Sequence, residues 1–167
     1  MKALSRFVLS LLFLSGITLL PACWKRGKTP EALMVPRLML EPRGVNAAVQ
    51  TVNTVTLPVS GTQIPLGKEP LISEFDIVNV EMVKVDMGIA LLIQTSELGA
   101  RALYRGTVTN MGGRIVLLVN GNPIGARRID GAIQDGNFFT FVEVDGEELG
   151  QLVLDLKESI AYLQERK

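Results

Sequence analysis

Ile115-Val116-Leu117-Leu118-Val119-Asn120-Gly121 is the stretch on which the reading of this chain turns. Five apolar residues in a row are too few for a buried helix and fit a strand covered on both faces. Asn120-Gly121 follows at once, and both residues tolerate the positive φ that a two-residue hairpin turn demands. Ile124 to Ala126 then returns as the partner strand. Upstream, Ser96 opens a helix: it is a good N-cap, and Glu97 lies in the first turn, where the dipole favours an acid. Ala100, Leu103, Tyr104, Thr107 and Val108 recur at helical spacing. Asn110 and Gly112 stop the helix, since both accept left-handed backbone.

Working outward, Arg37 to Glu41 has the length of a short strand, and Val52 to Val59 alternates loosely into a turn at Gly61. Ile77 to Val85 alternates well and breaks at Met87-Gly88. Ile89 to Ile93 is a continuous apolar run, so both of its faces are expected to be covered. These two segments read as an antiparallel hairpin. Past the central stretch, Ile129 to Ile133 reads as a short strand or turn and Phe138 to Val144 as a clearer strand. The last helix begins at Asp145, with Glu148 in the capping-box position. Leu149, Leu152, Val153, Leu156, Ile160 and Leu163 form one apolar stripe along it. Strands, helix, strands, helix predicts an α+β sandwich, with two helices packed on one face of a mainly antiparallel sheet. Its expected core includes Leu91, Ile93, Leu103, Leu117, Val119, Leu152 and Leu156.

Gly99-Ala100, Thr107, Asn110, Gly112, the strand Ile115 to Gly121, then Ile129, Ile133 and Gly136 stand in one gap-free order. Glu147-Glu148 opens the helix that follows, and Glu69-Pro70-Leu71-Ile72 with Asp76 stands upstream. This series resembles the first periplasmic, or head, domain of SecD, a subunit of the bacterial protein-export machinery. The resemblance extends over roughly Arg37 to Leu163. It implies a periplasmic head fold and a habit of touching extended or unfolded chains. The chain departs from the pattern at Gly125-Ala126-Arg127, where the family has Ser-Ala-Pro. SecD also carries several membrane helices that house its proton-coupled motor, and the motor does not transfer to this sequence. Fold alone does not set function.

The other informative segment is the beginning. Lys2 and Arg6 precede an apolar run from Phe7 to Leu20, which is too short to span a bilayer and stops at Pro21. Ala22 then stands before Cys23, the only cysteine in 167 residues. Leu20-Pro21-Ala22-Cys23 resembles the bacterial lipobox, in which the cysteine sulfur takes a diacylglycerol and becomes the N-terminus. Residues 1–22 are therefore expected to be a lipoprotein signal peptide and Cys23 the lipidated residue. The alternative is an ordinary secretory signal cut after Ala22, which would leave a free thiol. Residues 23–35, with Lys25, Arg26 and Lys28, read as a lipid-anchored tether, and 36–167 as the SecD head-like domain. The basic tether residues would lie against lipid head groups or form a plain solvated linker. Trp24 follows the cysteine in place of the aspartate that retains lipoproteins at the inner membrane of enteric bacteria. That resemblance points to the periplasmic face of the outer membrane.

Composition limits the chemistry. Removing Lys2 and Arg6 with the leader takes the basic count from 17 to 15 against 17 acids, and that balance argues against nucleic acid. With no histidine in the chain, Ser-His-Asp and Cys-His arrangements and histidine metal sites are excluded. Gly112-Gly113 lacks the ending of a phosphate loop. Glu143, Asp145, Glu147 and Glu148 are the densest acids but lack calcium-loop spacing. No enzyme, metal or cofactor is expected beyond the acyl anchor on Cys23. Two function classes remain: a lipid-held module that binds envelope or exported proteins, and a passive scaffold lipoprotein of the envelope. For the first, the candidate partner surface is Phe139 and Phe141 with Arg127 and Arg128. Strand alternation sets Phe138 and Thr140 on one face and Phe139 and Phe141 on the other, and helices stacked on one side cover only one set. Alternatively, the segment Leu38 to Leu40 folds over the second set, and Arg127-Arg128 is a solvated hairpin edge.

Overall fold

The computed structural model describes residue 30 and residues 33–44 and 47–166. The leader, Cys23 and the basic residues of the tether lie outside the described residues. The chain is α+β, with two long helices and antiparallel strands in three groups. In order, the elements begin with β1 (Pro36–Leu40), a single helical turn (Ala47–Gln50), β2 (Thr51–Thr56), β3 (Gln63–Gly67) and β4 (Pro70–Ile72). They continue with β5 (Ile77–Val85), β6 (Gly88–Thr95), α1 (Glu97–Thr109), β7 (Arg114–Val119), β8 (Asn122–Arg128), β9 (Asn137–Thr140) and α2 (Gly146–Gln164). One sheet has the order β4-β1-β7-β8, a second β5-β6-β9, and β2-β3 stand as a separate hairpin.

β7 shows why its sequence is apolar at every position. Ile115, Leu117 and Val119 face the main core, where they meet Leu38, Leu103 of α1, and Leu149, Val153, Leu156 and Ile160 of α2. The same core takes the inner face of the three-stranded sheet through Ile77, Val80, Leu91, Ile93 and Phe138. Val116 and Leu118 point the other way, into a smaller core closed by Leu57, Ile64 and Leu66 around the β2-β3 hairpin. The single sheet expected from sequence is thus divided, and a hairpin covers the face that the helices do not. Of the expected core residues Leu152 alone is only partly buried, packed at the rim.

Several local readings hold at atomic detail. The Ser96 hydroxyl accepts the Gly99 amide at 3.1 Å. Asn120 and Gly121 both take positive φ, 51° and 83°, as a two-residue hairpin turn requires. The Asn120 side chain accepts the Val35 amide at 2.8 Å, and the Met34 amide reaches Ser159 Oγ at 2.9 Å. Residues 33–35, assigned by sequence to the tether, are therefore fastened to the body.

Other readings are corrected. Ile89 is 56% exposed at the start of β6, and on the opposite face Ala90 is buried but Leu92 only half-buried, so the cover of both faces is incomplete. Ile129–Ile133 forms no strand. It is an irregular link held by the Thr107 hydroxyl, which accepts the Ile133 amide at 3.0 Å, and by paired backbone bonds to Gly112 and Gly113. β9 ends at Thr140, because the chain leaves its sheet there and Val142 bridges Gly125 of β8. The Asp145 side chain makes no capping hydrogen bond; the Glu148 amide binds its carbonyl instead, at 3.0 Å.

Candidate functional site

Crossing from β9 to β8 creates the site. Gly125 permits the crossing: a Cβ there would meet the Phe141 carbonyl and lie 3.2 Å from Val142 Cα. The two sheets join at this point, and their outer surfaces meet at an angle that leaves a groove of roughly 550 Å³. Its walls come from the β5-β6 turn (Val85, Met87), from Ala90, from β8 (Ala126, Arg127) and from Phe139 and Phe141. Alternation along β9 produces the aromatic wall. Phe138 is 1% and Thr140 2% exposed in the core, whereas Phe141 is 43% exposed and Phe139 half-buried.

The segment Leu38 to Leu40 does not lie over these rings. Leu38 fills the main core and Met39 the smaller one, because β1 is paired on both sides between β4 and β7. The mouth of the groove stays apolar, with Met87 84% and Val85 36% exposed. Two charges stand at it, Asp86 and Arg127. Arg127 Nη1 donates to the Phe139 carbonyl at 3.2 Å, which holds the guanidinium along the outer edge of β9. That edge has no strand partner among the described residues.

The structure brings Phe139, Phe141 and Arg127 together and sets Arg128 apart. Neighbours on a strand point to opposite faces, and Arg128 turns instead toward Asp130, with Nε 3.6 Å from Oδ1. Sequence reasoning missed Val85, Met87, Ala90 and Ala126. Met87 was legible only as a turn residue, and nothing local links the β5-β6 turn to β8. The acids Glu143, Asp145, Glu147 and Glu148 do not converge: no group of three or more acidic or cysteine side chains suited to a metal ion occurs among the described residues. Glu143 instead accepts the amides of Val59 at 2.7 Å and Ser60 at 2.9 Å. Desolvation opposes its ionisation, but the bonds from Ser60 and Val59 outweigh it and hold the carboxyl below its usual range. Glu74 is held low by the fork of Arg37, at 2.7 Å through both nitrogens.

No helix among the described residues is long and apolar enough to cross a membrane. No protein-family model matches the sequence, and no curated protein matches it. Solved structures do match. SecDF in its super-membrane-facing form has a TM-score of 0.55 at 20% identity, over 74% of this chain and 18% of that one. A second structure, of SecDF described as a membrane component that enhances protein export, has a TM-score of 0.54 at 20% identity, over 74% of this chain and 62% of that one. SecDF from Thermus thermophilus, described as translocon-associated, has a TM-score of 0.50 at 18% identity, over 77% of this chain and 20% of that one. The chain thus spans a fifth or less of two of these proteins and 62% of the other. At this identity the likeness concerns architecture: the fold is SecD-like.

Proposed function

We propose that this chain is a lipid-held binding module of the bacterial envelope that grips extended apolar stretches of other polypeptides. In this reading it is accessory to protein export or envelope assembly and has no motor or catalytic activity of its own. The observation that carries the reading is the aromatic groove beside the outer edge of β9, which pairs with no strand among the described residues. An extended peptide laid along such an edge gains affinity from main-chain hydrogen bonds and selectivity from pockets for alternate side chains. β9 supplies the edge, and Phe139, Phe141 and Met87 supply the pocket. Arg127 is a donor already aligned with that edge. The likeness to SecDF, described as enhancing protein export, supports an export context. The Leu20-Pro21-Ala22-Cys23 ending supports an anchor at Cys23, and Trp24 the outer-membrane address.

The test uses the full chain and a labelled, permanently unfolded polypeptide, reduced and alkylated, followed by fluorescence anisotropy. Saturable binding is expected, and Phe139→Ser with Phe141→Ser should weaken it at least tenfold. Binding that ignores the double substitution would remove the groove from the reading, and no binding at all would leave the scaffold class. The anchor is tested separately. Wild type should partition into detergent with added acyl mass, and Cys23→Ser should stay aqueous at the mass of the bare chain.

A further inference from the structure

We propose that the depression at the same end of β8 but on its opposite face, formed by Arg43, Arg114 and Arg128, binds a phosphate group. It is separate from the groove and does not rest on that reading. The depression has a volume of roughly 780 Å³ and gathers these three arginines with Glu41 and Gly112. A Cβ on Gly112 would lie 3.5 Å from Arg43 Nη1 and 3.8 Å from Arg128 Nη2. Two guanidinium groups therefore flank one glycine, whose missing side chain keeps the space between them open. Arg114 and Arg128 are direct partners across the β7-β8 ladder, a placement of like charges that disfavours the pairing unless something neutralises it.

Among the described residues the carboxylates at the depression are too few. Glu41 is taken by the Arg114 fork, at 2.9 and 3.2 Å. Arg128 has only the 3.6 Å approach of Asp130, with both side chains more than 70% exposed, and such a pair is weak. Arg43 donates to the Gly112 carbonyl, a neutral partner. Two guanidinium charges are thus left without a close carboxylate among the described residues. A carboxylate has two oxygens in one plane and suits one fork. A phosphate presents oxygens in several directions and can accept from two forks that approach from different sides. The phosphate could belong to a lipid head group or to a soluble phosphorylated molecule.

The probe is inorganic phosphate, titrated against the full chain in uncharged detergent, with potassium chloride at matched ionic strength as reference. The readout is the NMR shift of the Gly112 amide and the arginine Nε–H groups. Saturable shifts with phosphate but not chloride are expected. Arg43→Gln with Arg128→Gln should weaken the apparent affinity at least tenfold, while Arg105→Gln on α1 should stay within twofold. Phosphate shifts as linear and weak as those of chloride would overturn the proposal, and so would a double variant that binds as wild type. Should the glutamine pair disturb folding, Arg43→Lys with Arg128→Lys keeps the charge and loses the forks, and a severalfold loss is then expected. A second arm floats the Cys23→Ser chain with phosphatidic acid or phosphatidylcholine vesicles. Flotation with the first alone, abolished by the glutamine pair, identifies a head group. Phosphate binding without flotation identifies a soluble ligand.

Discussion

Phe138 and Phe139 are adjacent in the chain and stand on opposite sides of one three-stranded sheet. Behind Phe138 everything is closed. Thr95 donates through its amide at 3.1 Å and its hydroxyl at 3.0 Å to the Gly136 carbonyl, and a Cβ on Gly99 would lie 2.8 Å from Thr95 Cβ. Thr107 is fully buried and ties α1 to the link before β9. In front of Phe139 the surface is open, apolar and built from four separate segments. The residues that carry the resemblance to SecD, among them Gly99, Thr107, Gly112 and Gly136, do structural work: they bring backbone close to backbone, end a helix or hold a link. None of them lines the groove. The groove touches Gly125-Ala126-Arg127, where the sequence departs from the resemblance. The residues of the resemblance thus supply means of building the fold, and the groove is lined by others.

The comparison can be broken most severely at Phe138. Phe138→Ala should cost about 3–5 kcal/mol in urea unfolding, as large core truncations do. A loss near zero would mean that the two faces of β9 have been assigned the wrong way round. Gly136→Ala follows, at about 2 kcal/mol, because Gly136 has φ +72° and its Cβ would lie 2.8 Å from Thr95 Oγ1 and 2.9 Å from Ala100 Cβ. Equal stability of this variant and wild type would show that the closed side has slack. Phe139→Ser with Phe141→Ser comes third, at about 1–2 kcal/mol for the pair, since both rings are already partly in water. A cost matching that of Phe138→Ala would show the groove to be a second closed core and remove it as a partner surface.

The smallest expected effect is on pH dependence. The carboxyls of Glu74 and Glu143 are both held below their usual range in the folded chain. A depressed carboxylate contributes stability that is fully present above its unfolded pKa, near 4.3, and is lost as pH falls through the lower folded value. Arg37 is 48% exposed in its pair with Glu74, so solvent screening limits that pair to about 0.5–1 kcal/mol. Glu74→Gln should therefore lower stability slightly at pH 7 and flatten its decline between about pH 5 and 3. A decline as steep as that of wild type would assign the acid sensitivity to other groups.

Much of the molecule is readable along the chain because its signals are local. Ser96 caps α1, Asn120-Gly121 turns β7 into β8, and the stripe on α2 follows from spacing alone. β3 and β4 are not readable in this way: Pro65 interrupts β3, where proline ordinarily argues against a paired strand, and β4 is only three residues long. They are placed by their neighbours, β3 by β2 and β4 by β1. The aromatic set of the candidate site was visible in Phe139 and Phe141 because alternation is a local rule. Its other walls were not, because Met87 and Ala126 are brought together only by how strands pair.

By itself, the sequence determined the helices, the central hairpin, the α+β class and the division of β9 into two faces. Each of these depends on residues within one or two turns of one another. Only the tertiary structure decided that the strands divide into two sheets and a hairpin. The same folding sent Arg127 to an apolar groove and Arg128 to a cluster of arginines. The reason is that register and sheet partners depend on which distant surfaces meet, and a one-residue step along a strand exchanges one face for the other.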